Sequence, residues 1–340
     1  MRKKILGAGL AALLATSLLV TSNNSYAENE SNKGQENSQG NQDWKPAADS
    51  KVYWSHSNRV VGSDGDQAKL DSESPSIPGL QVAPAKIFET RVNNAITTST
   101  SAGSGNLVNH GGTTLPNVKL YAIYWGSAQK LTPAYINTTN NFLQGLSCTT
   151  NCVGLSSLIS QYFKVKPSIT WGNSYVDTSA APTSSPSTSS IANEVAKIAG
   201  STIDTAGLYL VFTDSYPTGA NYCAWHSAGS LSINRTTKKF AFGYMPNVLN
   251  IAGCSANYLP GYASSNTPNI NLDSLFNVTT HELYEAMTDA MTSGYAWYDA
   301  AGYEIGDKCS WNWATTITSG SYNFRVQQEY SNKTGTCTSN

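Results

Sequence analysis

The stretch TTHELYEAMTDA, Thr279 to Ala290, sets a histidine beside a glutamate and puts a second glutamate three residues further on. With Asp273 as N-cap, the surrounding sequence reads as a helix running to about Met291, and Leu272, Phe276, Leu283 and Met287 form most of one apolar stripe. At about 100° per residue, His281 and Glu285 fall on the opposite face, where side chains at i and i+4 adjoin. Two such side chains can close on one metal ion, whereas Glu282 is turned about 100° away and is placed to act on water instead. The pattern is weaker than His-Glu-x-x-His, and a solvated helix face carries it equally well. A second acidic ligand also admits harder ions beside zinc, such as manganese or calcium.

Two further segments supply candidates. In AWYDAAGYEIGDKC, Ala296 to Cys309, a turn at Ala300–Gly302 is followed by Glu304 and Asp307. If that segment is extended, Asp307 shares a face with Ile305 and Glu304 takes the other. A buried carboxylate needs a partner, so Asp307 is the first candidate for a third ligand and Glu304 the second. In YCAWHSAG, Tyr222 to Gly229, a disulfide at Cys223 would pin a loop carrying His226, either as a further ligand or as a donor to a developing oxyanion. The plain alternative is a histidine packed beside Trp225. His110, in NHGG, reads as a turn residue.

The rest of the chain frames this site. Arg2, Lys3 and Lys4 precede an apolar run from Ile5 to Val20 and a small-residue cleavage site at Ser25–Ala27, which reads as a signal peptide over residues 1–27. Residues 28–105 read as a disordered leader or pro-region, or in their later part as an extension that wraps the core. From residue 106 the pattern becomes that of one α+β or α/β domain to residue 340. VKLYAIYWG (Val118–Gly126), GLYLVFTD (Gly207–Asp214) and KFAFGYMP read as strands, and SSIANEVAKIAG (Ser189–Gly200) as a capped helix. The expected fold is a zincin-like single catalytic domain with a mixed sheet and a metal-binding helix, stapled by disulfides. Six cysteines in an exported chain read as disulfides, with Cys148–Cys152 closing a small loop and Cys223–Cys254 and Cys309–Cys337 favoured among three connectivities.

Charged residues make up 13% of the chain and the net charge is −1, which leaves no electrostatic footprint for nucleic acid or an anionic membrane. There is no G-x-S-x-G elbow, P-loop or G-x-G-x-x-G after a strand. Over about residues 106–340, the segments VKLYAIYWG, LYLVFTD, YCAWH, FGYMPN, THELYEAMTDA, AWY and EIGDKC occur in an order that resembles the EXORDIUM, or phosphate-induced protein, family of extracellular plant proteins and their bacterial relatives. The resemblance implies a secreted protein associated with the cell wall and names no settled reaction. The family's H-E-L-x-E stretch falls on His281, Glu282 and Glu285, and its E-I-G-D-x-C stretch on Glu304, Asp307 and Cys309. Plant members are similar at T-N-P where this chain has Thr288-Asp289-Ala290, which counts against Asp289 as a ligand.

The expected function is a secreted, monomeric, metal-dependent hydrolase, a zinc metallopeptidase acting on a protein or peptide substrate. Its metal would be held by His281, Glu285 and Asp307 or Glu304, with Glu282 as general base and His226 at the oxyanion. The rival expectation is a non-enzymatic extracellular protein with a structural ion at the same residues.

Overall fold

The computed structural model describes residues 77–89, 105–251, 254, 271–312, 315–319 and 322–340. The expected signal peptide and most of the expected leader lie outside these residues.

Strand β1 (Leu80–Val82) and strand β2 (Lys86–Glu89) precede a short strand β3 (Val108–Asn109) and the long strand β4 (Asn117–Trp125). Helix α1 (Pro133–Gly145) follows; Thr132 caps it by accepting the Tyr135 N–H, and Pro133 begins it where no amide hydrogen is needed. Next come β5 (Ser168–Asp177), then α2 (Thr188–Ala199), capped by the Ser187 hydroxyl on the Ser190 N–H. Strands β6 (Gly207–Thr213), β7 (Tyr222–Ile233) and β8 (Thr236–Met245) lead to helix α3 (Asn271–Thr288). Strand β9 (Trp297–Tyr298) pairs with β3. Two small hairpins, β10 (Thr315–Ser319) with β11 (Tyr322–Val326) and β12 (Glu329–Ser331) with β13 (Thr336–Thr338), complete the described residues.

The main sheet is mixed, in the order β1–β7–β8–β6–β4–β5, with β2 also on β7. Strands β5, β4, β6 and β8 run parallel, while β7, β1 and β2 are antiparallel to their neighbours. Central strand β6 is buried along its whole length, as expected of a parallel strand covered on both faces. Leu208, Leu210 and Phe212 join a core with α1 and α3; Tyr209 and Val211 point into a second core with α2. Phe142 of α1 stacks on Phe276 of α3 at 4.0 Å, and Phe324 of β11 packs edge-on against both.

The mixed sheet, the α+β class and the expected strands and helices agree with the sequence reading. All three cysteine pairs form as expected: Cys148–Cys152, Cys223–Cys254 and Cys309–Cys337. One boundary differs. Residues 80–82 and 86–89, assigned to the leader, form the outer edge of the sheet against β7, so the folded domain begins before residue 106. The two edge strands are separated by Ala83-Pro84-Ala85, and a proline without an amide hydrogen is tolerated at an edge.

Candidate metal centre

Helix α3 starts before its expected N-cap: Asp273 lies inside the first turn, and its Oδ1 accepts the Arg325 N–H from β11. The expected amphipathic pattern is present, but the polar face is not solvated. Asn277, Thr280, His281, Glu282 and Glu285 are all buried, because β7 and the C-terminal turns cover them. Thr279, Thr280 and Thr288 satisfy their hydroxyls on carbonyls one turn back in the same helix.

His281 and Glu285 meet as the i, i+4 spacing requires, with Nε2 3.1 Å from Oε1. Asp307 closes the group, its Oδ1 lying 3.6 Å from His281 Nε2 and its backbone N–H donating to Glu285 Oε1 at 2.9 Å. Asp307 and Glu304 are not on opposite faces of a strand. The chain turns into a short 3-10 helix at Asp307–Cys309, and Asp307 Oδ2 accepts the Glu304 N–H, so both carboxylates point inward. Gly306 lies flat against the His281 ring: a Cβ there would sit 2.7 Å from Nδ1. Its carbonyl accepts from Gln327 Nε2, which ties the turn to the segment after β11.

YCAWHSAG is not a loop but the first part of strand β7. Trp225 enters the core shared with α2, so the next residue, His226, faces α3. Its Nδ1 lies 2.9 Å from Glu282 Oε2 and 3.7 Å from Glu285 Oε2, while Nε2 lies 3.9 Å from Glu304 Oε1. Burial, with the nearby charges of Lys86 and His281, pushes the His226 pKa down to about 3, so the ring is neutral. Nδ1 faces the Glu282 carboxyl, and Nε2 is buried with no hydrogen-bond partner among the described residues. A buried nitrogen turned toward Glu304 is placed as a ligand would be.

His226, Glu285 and Glu304 form one group whose ligand atoms lie within 4.8 Å of one another, and His281, Glu285 and Asp307 form another. All six expected site residues therefore converge. Three neighbours were not legible in the sequence. Lys86 of β2 is the register partner of His226 and places Nζ 3.9 Å from Glu304 Oε2. Glu329 of β12 is buried with both carboxylate oxygens lacking a hydrogen-bond partner among the described residues. Gln327 holds the turn, as described above. Lys86 had no signal because its short apolar segment, LQVAPAKIFE, was assigned to the leader, and Glu329 none because its strand is three residues long. Asp289, discounted as a ligand, belongs to neither group; its Oδ1 accepts the Ala296 N–H. His110 stacks on Tyr298 at 3.7 Å, outside the cluster.

Burial drives the pKa values of Glu282, Glu304 and Glu329 well above the ordinary carboxylate range, reinforced by neighbouring carboxylates. Burial would lower His281, but Glu285, Asp307 and Glu282 outweigh it and raise its pKa well above the ordinary value. Lys86 is raised as well, since Glu304 and Asp289 outweigh its own desolvation. The cluster crowds carboxyl groups into a low-dielectric interior, where burial favours their protonated forms in the absence of a compensating charge.

No protein-family model, curated protein or solved structure matches the chain, so the site is read from its own residues.

Proposed function

We propose that this protein is an exported, metal-dependent hydrolase of zincin-like design, a metallopeptidase that acts on protein or peptide substrates. The observation that carries this reading is the meeting of His281, Glu285 and Asp307 at one buried point, with Glu282 beside them on the same helix. One imidazole and two carboxylates are donors suited to zinc, with manganese as the harder alternative. The fit is supported by the way Gly306 leaves room for the His281 ring and by the inward aim of the Asp307 carboxylate.

Bound there, a divalent ion would supply Lewis acidity toward a substrate carbonyl and toward water. Glu282 is the residue to take a proton from water and return it to the leaving amine. Its Oε2 is anchored on His226 Nδ1, and its Oε1 has no hydrogen-bond partner among the described residues, which leaves one oxygen for proton transfer. His226 then holds Glu282 in place. The resemblance to the EXORDIUM family is in keeping with an extracellular, cell-wall-associated protein.

A second reading is favoured by burial: Asp307, at 5% exposure, is the most open of the six site residues. In that reading the same donors hold a structural ion in a non-enzymatic extracellular protein, with a sphere closed by protein atoms. The two readings separate when metal content and cleavage of a broad peptide library are measured on the purified protein and on Glu282→Gln. The hydrolase reading expects metal in both proteins and cleavage by the parent alone. A metal-loaded parent that cleaves nothing establishes the structural reading, and a parent that binds no divalent ion removes both.

A further inference from the structure

The two halves of the cluster share one side chain. Glu285 divides its carboxylate between them, with Oε1 3.1 Å from His281 Nε2 and Oε2 3.7 Å from His226 Nδ1. Glu304 is divided in the same way, with Oε1 toward His226 Nε2 and Oε2 toward Lys86 Nζ, each at 3.9 Å. We propose that the cluster holds two divalent cations rather than one: the first with His281, Glu285 and Asp307, the second with His226, Glu285 and Glu304, and Glu285 bridging them. This deepens the metal-site reading above and rests on it.

Three observations carry the second site. The first is the donor set. His226 Nε2 and both oxygens of Glu304 are buried and have no hydrogen-bond partner among the described residues, although imidazole and carboxylate groups buried in protein ordinarily have one. Glu282, on Nδ1, orients the ring as the carboxylate does in carboxylate–histidine–metal arrangements, and so aims the bare nitrogen at Glu304.

The second observation is spacing. Ligands about 2.0–2.2 Å from a tetrahedral ion stand about 3.3 Å apart. Around His281 Nε2 the carboxylate oxygens lie at 3.1 and 3.6 Å, His226 Nε2 lies 3.9 Å from Glu304 Oε1, and in each group the ligand atoms lie within 4.8 Å of one another, so both spheres close with shifts of up to about 1.5 Å. A shared carboxylate is also how two-metal hydrolases bring their ions to about 3.5–4 Å.

The third is charge. Glu282, Glu285, Asp289, Glu304, Asp307 and Glu329 are all buried, and among the described residues Lys86 is the one lysine or arginine paired with any of them. These carboxyls crowd the same interior as the two ligand groups, with a single paired lysine to offset them. Both groups consist of nitrogen and oxygen donors, the set that takes zinc or manganese.

Metal stoichiometry decides the matter. The full-length protein is freed of metal by chelation, reloaded with manganese and dialysed, and bound manganese is counted per chain by elemental analysis. Electron paramagnetic resonance of the same sample reports whether the ions are coupled. The expected result is two ions per chain with the spectrum of an exchange-coupled pair. Glu304→Gln should bind one, with the spectrum of an isolated ion and an unchanged circular dichroism spectrum. One ion per chain in the parent overturns the second site and leaves the first standing; none overturns both. Two ions in a folded Glu304→Gln overturn the assignment of Glu304. If that variant does not fold, the parent's count and spectrum decide alone.

Discussion

Gly306→Ala is a sharp test of how the Glu304–Asp307 turn is seated. Gly306 has φ −78° and ψ −43°, an ordinary right-handed conformation that alanine adopts without strain. In open space the change would stabilise the protein by about 0.4–1 kcal/mol through the unfolded chain. The site is not open, because the added Cβ would lie 2.7 Å from His281 Nδ1, 2.9 Å from Cε1 and 3.0 Å from Cγ. Relief requires the ring or the turn to move by about 0.5–1 Å, and overpacking of that kind costs about 1–3 kcal/mol. The ring is held by Glu285 and Asp307, and the turn by Gln327 and by the Asp307 N–H on Glu285. Neither can yield without loosening the first metal group. The net expectation is a loss of about 1–2 kcal/mol, or roughly 2–8 °C in melting temperature for a domain of this size, with metal affinity weakened about tenfold or more. Urea denaturation of the metal-free proteins and competition against a chelator measure the two effects. A variant as stable as the parent, with the same metal affinity, would refute the claim that a glycine stands here to admit the histidine ring.

Other perturbations test separate parts of the structure. Glu285→Ala should lose metal, and added metal should not raise its melting temperature as it is expected to for the parent; a metal-dependent rise that survives in the variant would rule out Glu285 as a ligand. Glu282→Gln should keep its metal and lose about 10²–10⁴-fold in turnover, read as kcat on any peptide the parent cleaves, and unchanged kcat would remove Glu282 as the base. Glu194 of α2 is buried against Lys197 and Asp177, and its burial lifts the pKa from 4.5 to about 7 despite Lys197. An acid raised in this way gives stability that is fully present below the unfolded pKa and lost as pH rises from about 4.5 to about 7, by on the order of 2–3 kcal/mol. Glu194→Gln should therefore gain on the parent at pH 8 and not at pH 4, and an equal difference at both pH values would contradict this. Replacing Cys309 and Cys337 together by alanine opens a loop closed over a separation of 28 residues and should cost about 3 kcal/mol, with weaker metal binding because Cys309 ends the turn that carries Asp307; denaturation and metal titration check both.

What could be read from the sequence was what is written locally. β4, β6 and α2 follow from runs of one period bounded by caps or turns, and the His281–Glu285 pairing follows from helical spacing alone. The inward aim of both Glu304 and Asp307 was not local in that sense. Strand alternation offered one or the other, and the 3-10 turn that admits both is fixed by the Glu285 and Gln327 contacts. His226 was found by its type and its nearness to Cys223, yet in the wrong element, because Trp225 and Cys223 fit a strand as readily as a pinned loop. Lys86 was invisible. Its strand is four residues long and follows a proline, and what orders it is the edge of β7, far along the chain. The alternative of a solvated helix face opposite Leu283 fits the pattern equally well, and it fails because β7 and the C-terminal turns bury that face.

The pairing of β1 and β2 with β7 has a consequence for when the centre can exist. The Ser227 hydroxyl meets the Ala83 carbonyl across 144 positions of chain, and Lys86 reaches Glu304 from still farther away. Such non-local contacts form slowly and only once both partners have been made. A growing or translocating chain therefore presents its acidic residues separately, each solvated and each a weak ligand. On the proposed reading, metal affinity would be complete only when the sheet edge and the Glu304–Asp307 turn are both in place. The ion that entered would then be one plentiful where that last act of folding takes place, so the compartment of folding would bear on metal identity together with the ligand set.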